Sequence, residues 1–76
     1  MKSFLENILK ALADYPDEVA LSAFLGQQTV VFEVRCNSED MGRIIGRSGK
    51  TIGAIRTLLG VLAAKQKKKS MLEIVE

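Results

Sequence analysis

The sequence predicts a two-layer α+β domain in the order α-β-β-α-α-β, with a three-stranded mixed sheet and three helices over one of its faces. Three observations predict it. The first dozen residues repeat apolar side chains at helical spacing. Residues 19–36 alternate in two runs about a short glycine-containing break. Residues 39–66 return to helical spacing on both sides of a Gly-x-x-Gly turn, before a last apolar run.

Ser3-Phe4-Leu5-Glu6 reads as a capping box, S-x-x-E, at a helix start. Phe4, Leu5, Ile8, Leu9 and Leu12 follow as one apolar stripe, with Glu6, Asn7 and Lys10 off it. Tyr15-Pro16 ends this helix, because the residue before proline avoids helical geometry. Val19 to Leu25 alternates as a strand, with Val19, Leu21, Ala23 and Leu25 on one face. Gly26-Gln27 suits a tight hairpin turn in which glycine supplies a positive φ. Thr29 to Cys36 is a second strand that turns Val30, Phe32, Val34 and Cys36 to one face. As a lone cysteine in such a strand, Cys36 reads as a small buried apolar group.

Asn37-Ser38 caps the next helix, and Glu39 and Asp40 fit its positive first turn. These two acids look like a catalytic pair, but neighbouring helix positions point about 100° apart and do not converge. The helix after the turn runs from Lys50 to about Gln66, with Ile52, Ile55, Leu58/Leu59 and Leu62 toward the core. Another face carries Gly53, Arg56/Thr57, Gly60 and Ala64, a smooth surface open to a partner helix or a nucleic-acid backbone. Lys65 and Lys67 to Lys69 favour the helix C-terminus. Met71 to Val75 is a last strand, apolar on both faces in the manner of a central or covered strand. A two-helix crossover returns it parallel to the second strand.

The chemistry concentrates in Gly42-Arg43-Ile44-Ile45-Gly46-Arg47-Ser48-Gly49-Lys50-Thr51-Ile52-Gly53-Ala54-Ile55. Gly46 and Gly49 bracket Arg47-Ser48, so the backbone bends sharply there and a ligand can come close. The turn feeds a helix N-terminus, where free N–H groups and the helix dipole favour an anion. With Arg43, Arg47 and Lys50 around it, the turn reads as a phosphate clamp. Gly49-Lys50-Thr51 also ends like a P-loop, but that motif needs a glycine where Ile44 stands and a strand leading in. A bland alternative is a mere helix–helix connector, with Gly46 closing the first helix.

The pattern Ile-Ile-Gly-x-x-Gly-x-x-Ile-x-x-Ile resembles the signature of the KH (K-homology) RNA-binding domain, and the element order resembles its type II variety. Across residues 1–76, the segments Pro16 to Val19, Glu39 to Gly46 and Ala54 to Leu58 are similar to the small stand-alone bacterial KH proteins of the KhpA family. The resemblance implies a single KH domain that binds single-stranded RNA through the GxxG loop at 46–49. It implies an RNA chaperone or post-transcriptional regulator that self-associates or pairs with a KhpB/Jag-type KH protein. It also implies a link to cell elongation and envelope homeostasis. Carried onto this chain, the RNA-binding set is Arg43, Ile44, Ile45, Gly46, Arg47, Ser48, Gly49, Lys50 and Ile52. The backbone N–H groups of Arg47 to Lys50 meet phosphates, and Ile44, Ile45 and Ile52 form an apolar floor for bases, with pure core packing the alternative for Ile44 and Ile52.

Charge agrees with a polyanionic partner. Residues 1–40 hold three basic and seven acidic residues, net −4; residues 41–76 hold eight basic and two acidic, net +6. Histidine is absent, so the commonest general base is missing, and one cysteine with scattered carboxylates makes no metal cluster. The sequence therefore calls for no enzyme, cofactor, metal or small-molecule substrate. No secretory leader and no membrane span is evident, which suggests a cytoplasmic protein. Two other classes fit parts of the pattern: a helix-turn-helix DNA-binding module, and a protein–protein adaptor that keeps the fold without the RNA.

Overall fold

The computed structural model describes residues 2–75. Its elements are α1 (Lys2–Leu12), β1 (Ala20–Leu25), β2 (Thr29–Arg35), α2 (Met41–Ile45), α3 (Lys50–Lys65) and β3 (Lys69–Ile74). Short 3-10 turns at Pro16–Glu18, Ser38–Asp40 and Arg47–Gly49 join them. The sheet order is β1-β2-β3, with β1 antiparallel and β3 parallel to β2. This is the expected two-layer α+β arrangement with its mixed three-stranded sheet, consistent with a KH domain.

The core lies between the sheet and the helices. β2 is the central strand, and its alternation drives Val30, Phe32 and Val34 into the interior. Leu5 and Leu9 of α1, Ile44 of α2, Ile52, Ile55 and Leu59 of α3, and Leu72 of β3 close on them. The expected strand faces hold, except that Leu25 is 74% exposed where the helix layer no longer covers the sheet.

Several details depart from expectation, each for a local reason. Ser3 lies inside α1 and does not cap it; Glu6 pairs with Lys10 one turn on, at 3.2 Å. α1 also stops at Leu12, three residues before Tyr15-Pro16. The Asp14 and Tyr15 N–H groups leave the helical ladder and donate to the two oxygens of Asp40, at 2.9 and 3.0 Å. Pro16 then opens a 3-10 turn, where its missing N–H costs nothing. Gly26 takes no left-handed φ. Its N–H donates to the Thr29 carbonyl at 2.8 Å, and a Cβ there would approach that oxygen to 3.3 Å, so close approach explains the glycine.

On α3, Leu58 is 49% exposed and Leu62 only partly buried, while Ala63 completes the buried stripe of Ile52, Ile55 and Leu59. The expected inward role of Leu58 fails because that row looks past the narrow sheet. The end of α3 is closed by Lys67 in the left-handed region (φ 58°), with Lys68 N–H on the Ala63 carbonyl and Lys67 N–H on that of Ala64. β3 begins two residues earlier than expected and is an edge strand, not a central one. Its second apolar face is a half-exposed Met71 beside Val31, which continues to Phe24, an apolar row across the helix-free side of the sheet.

Gly53 and Gly60 have open space where a Cβ would stand. Gly60→Ala is therefore expected to raise stability by about 0.5–1 kcal/mol, which thermal unfolding would read as an upward shift of roughly 4 °C.

Candidate nucleic-acid interface

α2 is one turn and a half long, and Gly46 ends it with φ 77° and ψ 172°, its N–H still bonded to the Gly42 carbonyl at 2.8 Å. Only glycine holds that backbone region comfortably. Ser48 (φ 56°, ψ 28°) and Gly49 (φ 73°, ψ 15°) follow in the left-handed region before α3 resumes right-handed geometry at Lys50. The bend was expected at the two glycines; that Ser48 shares it was not.

The turn uses part of its own hydrogen-bonding capacity. Gly49 N–H donates to the Gly46 carbonyl at 3.1 Å, and Lys50 N–H to that of Arg47. The amides of Arg47 and Ser48 make no such bond. The anion site expected across Arg47 to Lys50 narrows to these two N–H groups, with the Arg47 and Lys50 side chains exposed beside them. Among the described residues neither Arg47 nor Lys50 is ion-paired. Arg43, expected with them, is instead held by Asp14 at 3.0 Å. Both partners are more than half exposed, so the pair is weak.

Beside the turn runs a groove of about 550 Å³ lined by Met41, Ile45, Gly49, Ile52, Arg56 and Ile74. Met41 and Ile45 also border a hollow with Cys36 and Ser38. Beyond Arg56, another hollow is walled by Leu59 and residues 70–73 of β3. The groove thus lies between α2 and α3 on one side and edge strand β3 on the other. Ile45 and Ile52 reach its floor, Ile52 with only 5% of its surface exposed. Ile44 does not: it is fully buried in the core, so its expected base-facing role is corrected to packing. Consecutive helix positions cannot both face the groove, and Ile45 is the one that does.

Cys36 sits at the margin, its Sγ 3.6 Å from Met41 Sδ. Burial pushes its thiol above the ordinary value, and the charge of Asp40 adds to this. It therefore stays protonated at neutral pH, as the apolar reading of the residue expects.

Three residues of the groove lie outside the expected RNA-binding set, Arg56 having been read only as part of the smooth face of the last helix. Arg56 lies in the groove wall, and Met41 and Ile74 in its floor and far side. Helical spacing held a signal for two of them: Arg56 is four positions after Ile52, and Met41 four before Ile45. Ile74 had none, since its place depends on the crossover.

The family described as "KhpA/KhpB, KH domain" matches residues 2–74. A protein of Clostridium acetobutylicum named "RNA-binding protein KhpA" is 43% identical over 75 residues, spanning 99% of this chain and all of its own length. Proteins with the same name from Chlamydia trachomatis serovar D and Borreliella burgdorferi are 46% and 44% identical. These cover 100% and 95% of this chain, and 97% and 88% of the relatives' own lengths. No solved structure gives a significant match.

Proposed function

Because the chain belongs to the KhpA/KhpB family of KH domains, we propose that it binds single-stranded RNA across the GxxG turn and the adjoining groove. One observation carries the reading: two amides and two cations without partners among the described residues sit at one end of an apolar groove. Phosphates meet Arg47 and Ser48 N–H with Arg47 and Lys50 adding charge, and about four nucleotides lie over Ile45, Ile52 and Met41. No aromatic side chain lines the groove, so stacking is absent and binding is weak. If about three phosphates are neutralised, log affinity falls with log salt at a slope near −2.

The domain works in the cytoplasm as an RNA chaperone or post-transcriptional regulator. It gains avidity from a second copy or from a KhpB/Jag-type partner with its own RNA site, in service of cell elongation and envelope homeostasis. Family membership supports this, and an exposed, mainly apolar hollow of about 380 Å³ between α1 and α3, lined by Phe4, Leu58, Val61, Leu62, Lys65 and Gln66, supports the docking of a second chain. A duplex-DNA reader would need polar side chains at the start of α3, where Thr51 is half-buried and Ile52 packs inward.

The test is fluorescence anisotropy of a short random RNA with wild type and the Arg47→Asp/Ser48→Asp double variant. Tenfold weaker binding or worse is expected, with the circular dichroism spectrum unchanged. Equal binding by both proteins would move the site away from the turn. No binding by either would leave the adaptor reading.

A further inference from the structure

We propose that the helix-free face of the sheet is a contact between two copies of this chain, packed face to face about a two-fold axis that runs along the apolar row Phe24, Val31 and Met71. It shares no residue with the RNA groove or with the hollow between α1 and α3, and it does not depend on the RNA reading.

Strand alternation gives one face of the sheet to the core and leaves the other bare. The register lays the bare face out in rows. Thr29 stands beside Lys69, then come Phe24, Val31 and Met71, and then Ser22, Glu33 and Glu73. Phe24 is 56% exposed and Met71 52%, so the middle row is an open apolar strip. Glu33 and Glu73 are direct register partners, and like charges so placed oppose the pairing of their strands. Among the described residues neither carboxylate is ion-paired, and neither is Lys69. The fold therefore holds an acidic row and a cation on either side of an apolar strip and gives none of these charges a partner.

The arrangement is complementary to itself. Rows on one face are two residues apart, about 7 Å, so the Lys69 row and the Glu33–Glu73 row flank the apolar row at equal distances. A half-turn about the apolar row lays a second copy face down, strand over like strand, with strand directions reversed. Phe24, Val31 and Met71 then meet their own counterparts. Glu73 of each copy falls over Lys69 of the other, which makes two reciprocal ion pairs in one isologous contact. A half-turn about the strand direction would instead set carboxylates on carboxylates, so charge selects the first axis. The patch is small: three strands by six residues cover roughly 15 by 20 Å, well below the area of a stable interface, so the contact is weak and concentration-dependent. Because β3 lies over β3, the two grooves beside that edge open on the same side of the pair.

The experiment is sedimentation velocity of the whole protein from micromolar to millimolar concentration. Leu58→Glu/Val61→Glu, at two exposed positions of α3, serves as the background that silences the α1/α3 hollow. This background is expected to dimerise with a Kd of about 100 μM. Adding Glu73→Lys should weaken dimerisation at least fivefold, because it sets lysine against Lys69. Adding Lys69→Glu to that variant should restore it to within twofold, since the pair is re-formed with its signs exchanged. Phe24→Ser should also weaken it at least fivefold, with the circular dichroism spectrum unchanged. A background that stays monomeric, a Glu73→Lys variant that dimerises as before, or a charge exchange that fails to rescue overturns the proposal. So does a monomer whose Phe24 and Met71 NMR signals shift on adding an alternating lysine–leucine hexapeptide, which would assign the face to a different, basic protein.

Discussion

Gly46→Ala is expected to destabilise the protein by about 3 kcal/mol or more, and Gly49→Ala by only about 1. The two glycines of the turn are not equivalent. A Cβ on Gly46 would collide with Thr51 Oγ1 and lie 2.6 Å from Thr51 Cβ and 2.8 Å from the Thr51 backbone nitrogen. Rotating the threonine relieves the first clash only. The backbone contact persists unless the start of α3 moves away, and φ 77° with ψ 172° is itself a glycine conformation. A Cβ on Gly49 meets nothing within 4 Å and suffers only the ordinary left-handed penalty. Urea denaturation of both variants measures the difference. Combining Gly46→Ala with Thr51→Gly should recover part of the loss, since Oγ1 and Cβ are gone and the backbone nitrogen stays. Equal costs at the two glycines would mean that the turn flexes freely, and that the close packing of Gly46 on α3 does not constrain it.

Asp40→Ala should cost about 3 kcal/mol, a large share of the roughly 5 kcal/mol expected of so small a domain. Asp40 is fully buried, and its two oxygens accept from the Asp14 and Tyr15 amides. Charged acceptors contribute about 1.5 kcal/mol or more per bond, and their removal strands two donors at once. Asp40→Asn should recover about half, because its amide has one acceptor oxygen to offer. Hydrogen exchange provides the specific readout: the Asp14 and Tyr15 amides should lose protection in Asp40→Ala before the rest of α1 does. A loss of stability under 1 kcal/mol would show that the connector is held by packing alone. The same anchor places Asp14, which in turn holds Arg43.

Asp40 also marks where sequence reasoning stops. Beside Glu39, at the head of a helical segment, it reads as compensation for the helix dipole. Its partners are amides 25 and 26 positions earlier, which no local pattern announces. Element order, strand pairing and the GxxG bend were legible, because alternation, helical stripes and glycine spacing are local properties. The choice between Ile44 and Ile45 was not, since both lie in the apolar run and only the packing of α2 on the core separates them. The outward turn of Leu58 and the edge position of β3 follow from the width of the sheet and the path of the crossover. Arg56 was visible at helical spacing from Ile52. What marks it as part of the site is the Leu72 carbonyl of β3, to which its Nη2 donates at 3.2 Å, and that depends on the tertiary fold.

The parallel pairing of β2 with β3 has a consequence for how the protein is made. Thr29 pairs with Lys69 and Val34 with Ile74, so this ladder closes across 40 positions of chain. Such pairing carries a large loop-closure cost and forms late. On the ribosome, the β1–β2 hairpin, the GxxG turn and α3 emerge ahead of β3, and for that interval the flank of β2 that β3 will cover has no neighbour. A nascent chain at that point has its phosphate clamp but not the far wall of its groove, which Ile74 supplies. Completion of the fold and competence to hold a strand of RNA therefore arrive together, with the last strand.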